Sequence, residues 1–124
     1  MLPYTRTIIV GCFLGFLICM TAIFCGCASS TLGRALNVGV GAAAVADVSS
    51  TEVAKAHGGV EANPLIGSSA WRHVAVKFAG VSAVIALAGV LDTQHPRLAH
   101  VARLLPIVIW SGAAVWNLRT ARTR

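Results

Sequence analysis

Long apolar runs, each ended by a short polar or glycine-proline stretch, set the pattern of this chain. Ile8 to Met20 carries no charge, nor does Phe78 to Leu91, nor Leu104 to Trp116. Runs of this length without period-two alternation read as helices rather than strands. Four helical segments follow. Thr7 to Gly26 measures about 30 Å as a helix, the thickness of one bilayer core. Leu36 to His57 is rich in Gly, Ala and Val, with Gly39, Ala43, Asp47, Thr51 and Lys55 recurring every fourth residue along a slowly drifting stripe. Ala70 to Leu91 and Leu98 to Leu118 complete the set. Gly58-Gly59 and Asn63-Pro64 break the chain between the second and third segments, and Asp92 to Arg97 forms a polar turn between the third and fourth. Ser68-Ser69 offers a cap for the third helix, and Pro106 falls inside the fourth, where membrane helices tolerate it because neighbours re-satisfy the freed backbone.

Composition sharpens this picture. Of 124 residues, 56% are hydrophobic and only 11% charged, less than half the share of about 25% usual in a soluble domain. Disorder is excluded, since it needs low hydrophobicity and high charge. The net charge of +6 raises nucleic-acid binding, but the basic residues are scattered singly apart from Arg119, Arg122 and Arg124. Scattered arginines at the ends of apolar segments fit the enrichment of cytoplasmic membrane loops in basic residues better. With both ends cytoplasmic, the inside carries Arg6, Lys55, Arg72, Arg119, Arg122 and Arg124, and the outside Arg34, Arg97 and Arg103. Gly39 and Ala43 give the small-xxx-small spacing that lets membrane helices approach. Asp47 weighs against insertion of its segment, by about 2.5–3.5 kcal/mol near a bilayer centre.

All four cysteines, Cys12, Cys19, Cys25 and Cys27, lie in the first apolar run. Such crowding fits neither a distributed disulfide framework nor a two-part zinc site. Arg6, the apolar run and the small residues after it have the layout of a secretory signal. Phe24-Cys25-Gly26-Cys27 resembles the lipobox of bacterial lipoproteins, in which a small residue precedes the cysteine that is acylated. That resemblance implies lipidation at Cys27, with Ala28 to Thr31 as a polar tether; an uncleaved anchor helix and ordinary cleavage stand beside it.

One constellation carries more information than the rest. Asp47 and Thr51 share a helix face, Glu61 and Asn63 lie on the turn after Gly58-Gly59, and Lys77 lies about two turns into the next helix. A helical hairpin built on that turn brings Asp47, Thr51 and Lys77 to comparable depths, about 15 Å and 10 Å from the turn for Asp47 and Lys77. The pattern resembles a family of small bacterial integral-membrane proteins of unknown function, with an Asp and a Thr on one helix, then Gly-x-Glu-x-Asn-Pro, then a Lys on the next. The matching residues are Asp47, Thr51, Gly59, Glu61, Asn63, Pro64 and Lys77; Ser50-Thr51 stands where the family often has two threonines. The resemblance implies an integral-membrane hairpin and no known activity.

Two readings of the constellation compete. As a structural clasp, Lys77 pairs with Asp47, or with Glu61 near the interface, and Asn63 caps the turn. As a functional site, the same groups hold an ion, a proton or a small ligand. His57 and His73 flank the turn and could join Glu61 around a metal, but the spacing matches no standard motif, so both are expected at the interface without a metal. Asp92, His95 and His100 are expected to be solvated on the other loop, and Ser82 and Ser111 to be packing residues. Gly39-x-Gly41 lacks the strand and third glycine of a dinucleotide loop.

The predicted architecture is an all-α membrane helical bundle. An anchor or signal helix (1–26) and a tether (27–35) precede three core helices (36–118), and a basic tail (119–124) follows. The expected role is structural or accessory in a bacterial inner membrane, without catalysis, cofactor, metal or nucleic acid, and with lipid, a homo-oligomer or a larger membrane complex as partner. The rivals are a minimal ion or small-solute transporter and a periplasmic lipoprotein with a soluble helical bundle.

Overall fold

The computed structural model describes residue 28, residues 30–59 and residues 69–122. Among the described residues three helices make up the bundle: α1 (Thr31–Ala56), α2 (Ala70–Gln94) and α3 (Pro96–Arg122). At about 1.5 Å per residue each is close to 40 Å long. The expected all-α bundle of three core helices is what forms. The anchor segment, Cys27, Glu61 and Asn63 lie outside the described residues.

Helix ends follow local chemistry. Ser30 caps α1 by accepting from the Gly33 amide at 3.0 Å, so the helix starts at Thr31 and takes in most of the stretch expected to be a tether. Its other end shows why two glycines follow His57. Gly58 adopts φ +84°, and the amides of Gly58 and Gly59 return to the carbonyls of Lys55 and Ala54 at 3.1 and 2.9 Å. That closure needs a left-handed residue, which glycine supplies without steric cost. Ser69 caps α2. The expected polar turn over 92–97 is corrected: α2 continues through Asp92 to Gln94, only His95 separates it from α3, and α3 begins on Pro96, a residue suited to the first helical position. The basic tail is likewise helical as far as Arg122.

α1 packs chiefly against α3, with α2 closing the bundle. Gly39 makes the α1–α3 approach close, since a Cβ there would lie 2.9 Å from Ile107 Cδ1. Val40, Ala44, Val81 and Ile85 form the apolar core, with Val84, Ile107 and Trp110 packed against it.

The distribution of polarity is inverted. Buried positions include Asn37, Asp47, Ser50, Thr51, His73, Asp92 and Arg103, whereas Leu87, Val90, Leu98, Val101, Leu105, Val108, Ile109, Val115 and Trp116 are exposed. α2 and α3 are long and apolar enough to cross a membrane, and only 17% of the most apolar stretch of each is buried in the bundle. α1, with Asp47, Glu52 and Lys55 in its second half, is not among the helices that meet this criterion.

Candidate functional site: two buried polar clusters

The polar residues inside the bundle gather in two clusters on either side of the Val40–Ala44–Val81–Ile85 core. Along α1 they are about 15 Å apart, from Asn37 to Asp47.

The first cluster sits at the α2–α3 turn. Arg103 is 0% exposed. Its Nη1 and Nη2 donate to Asp92 Oδ1 and Oδ2 at 3.0 and 2.7 Å, and its Nε donates to Asn37 Oδ1 at 2.7 Å. The fork of the guanidinium thus meets both carboxylate oxygens, the geometry in which an arginine pair is strongest. All three helices contribute one residue, and Gly33 of α1 lies beneath the guanidinium, where an added Cβ would be 3.7 Å from Cζ. This overturns two expectations. Asp92 is buried on α2 rather than solvated on a loop, and Arg103 is an internal cation rather than a flanking charge of the external side. Sequence held one signal for the pair: in a hairpin with a one-residue turn, Asp92 and Arg103 lie about 5 and 12 Å from His95, a span that an arginine side chain can bridge.

The second cluster lies toward the end where α1 and α3 finish and α2 begins. Lys77 Nζ is 2.5 Å from Asp47 Oδ2, so the partner among the described residues is Asp47. The same ammonium lies 4.6 Å from the centre of the Trp110 ring, which adds a cation–π contact from α3. Thr51 shares its helix with Asp47 but serves another neighbour. Asn117 Nδ2 donates to Thr51 Oγ1 at 2.9 Å and to Ser50 Oγ at 3.3 Å, and Ser50 in turn donates to the Asp47 carbonyl at 2.9 Å. Asp47 therefore ties α1 to α2, and Ser50-Thr51 ties α1 to α3.

His73 completes the cluster and corrects its expected interfacial placement: it is 1% exposed. Its Nε2 lies 3.8 Å from Asp47 Oδ2 and its Nδ1 lies 3.9 Å from Glu52 Oε1. Glu52, which the sequence pattern left unmarked, pairs with Lys55 at 2.6 Å one turn along α1. Asp47 and Glu52 face Lys77 and Lys55, so two carboxylates meet two ammonium groups beside His73. Among the described residues, no group of three or more His, Cys, Asp or Glu side chains is arranged to hold a metal ion.

Comparison of this chain with protein-family models, with curated proteins and with solved structures finds no match.

Proposed function

We propose that this chain is an integral-membrane protein of the bacterial inner membrane with a structural or accessory role and no catalytic activity. The observation that carries the reading is the inverted polarity: large apolar side chains line the outside of α2 and α3 while ion pairs fill the inside. In water this would expose a broad apolar surface, whereas in lipid it is the ordinary arrangement, with ionisable groups facing the interior in pairs. A soluble periplasmic bundle is disfavoured on the same ground. A transporter is disfavoured because the apolar core lies between the two polar clusters.

The bilayer is the immediate partner, and a homo-oligomer or larger complex is the setting for an accessory role. Lipidation at Cys27 would add an anchor on the periplasmic side. Alkaline carbonate extraction tests the membrane reading: the chain should stay with the membrane pellet, and release into the supernatant would overturn it. Palmitate labelling lost in Cys27→Ser tests the anchor. Reporter fusions should read cytoplasmic at Arg119 and external at His95; with Arg103 internal, this orientation rests on Arg6, Lys55, Arg72, Arg119, Arg122 and Arg124 against Arg34 and Arg97.

A further inference from the structure

We propose that His73 is a proton-binding site between Asp47 and Glu52 of α1, and that its charge state sets how tightly α2 is clasped to α1. The geometry is that of a buried imidazole between two carboxylates, Asp47 beyond Nε2 and Glu52 beyond Nδ1. Among the described residues Nδ1 has no hydrogen-bond partner, although the ring is almost wholly buried. A neutral imidazole has one N–H, so it can donate to only one of the two carboxylates and must turn a lone pair toward the other. An imidazolium presents an N–H to each, at contacts of 3.8 and 3.9 Å that are longer than hydrogen bonds, while the two lysines already balance the two carboxylates and oppose an added charge. These opposed demands make the site responsive to pH, since histidine changes charge between about pH 5 and 8.

The Glu52 side chain is about a third exposed, whereas those of Asp47 and His73 are buried. A proton bound at Nδ1, with the first N–H on Nε2 toward Asp47, makes the ring an imidazolium with a carboxylate on either side. The charged neighbours are Asp47, Glu52 and Lys55 on α1 and Lys77 on α2, with His57 and Arg72 exposed at the same end. α3 brings the neutral Trp110 and Asn117 to the cluster and carries Arg119 and Arg122, both exposed, at that end. The inference rests on the packing of α1 against α2 and holds whether or not the accessory role is correct.

The test uses the full chain in lipid nanodiscs. The unfolding temperature of the wild type should change by about 5 °C between pH 8 and pH 6, and Glu52→Gln should at least halve the change. His73→Gln should abolish it. Nitrogen-15 NMR of the histidine rings, with His73 assigned by its loss in His73→Gln, should show the ring passing from the Nε2–H tautomer to imidazolium over the same range. Ring nitrogens that do not change between pH 5 and 8, or a stability step that survives in His73→Gln, would overturn the proposal. If His73→Gln does not fold, the NMR titration and the Glu52→Gln comparison still decide it: an unaltered step in Glu52→Gln rejects Glu52 as a partner of the charged ring.

Discussion

The two ends of the bundle solve the same problem differently. At the α2–α3 turn one cation meets one carboxylate and one amide, and the three donor groups of Arg103 are matched to three oxygens. At the other end two carboxylates, two lysines and a histidine share a looser network, in which the His73 contacts exceed hydrogen-bond distance. The first arrangement has one satisfied state. The second has more than one way to place a proton. Arginine suits the first because its planar fork keeps its charge and fixes geometry, and lysine and histidine suit the second because neither imposes such a fork.

The largest effect is expected at the matched end. Asp92→Leu strands the Arg103 guanidinium inside the bundle and should cost about 3–5 kcal/mol in detergent unfolding. Adding Arg103→Met should return most of that loss, because an apolar pair of similar volume leaves no buried charge. A loss under about 1 kcal/mol in Asp92→Leu would break the contrast between the two ends.

Lys77→Met should cost less, about 2 kcal/mol, since Asp47 keeps His73 beside it and Lys77 is not fully buried. Asp47→Leu with Lys77→Met should recover most of the loss by the same unfolding measurement. Additive losses in the double variant would mean that the pair does not couple. Asn117→Ala should cost about 1 kcal/mol by removing its bonds to Ser50 and Thr51. The smallest effect is expected for Lys55→Ala, under about 0.5 kcal/mol, because its pair with Glu52 is one turn apart and partly exposed. A larger loss there would show that Lys55 also neutralises Glu52 beside the buried histidine.

The resemblance to a known signature pointed to Asp47 and Lys77, and the structure joins them; it also pointed to Glu61 and Asn63, which lie outside the described residues. It missed Arg103 because a single arginine after a polar turn looks like a flanking charge. It missed His73 because a histidine two residues past a tryptophan at a helix start looks interfacial. Asn117 carried no signal, being one amide near a basic terminus.

Helix number and class, the caps at Ser30 and Ser69, and the glycine closure after His57 are local matters, settled by apolar run length and by the conformational needs of a few backbone positions. Which polar residues face inward, and which partner each takes, is not local. That depends on the rotation of three helices about their axes, set by where the exposed Leu, Val, Ile and Trp side chains can point outward together and where Gly39 lets α1 meet α3. Asn37, Asp92 and Arg103 are far apart in the chain or separated by a turn, and they become one cluster only when all three helices are packed. Apolar periodicity alone does not specify that rotation, because α2 and α3 are apolar on nearly every side.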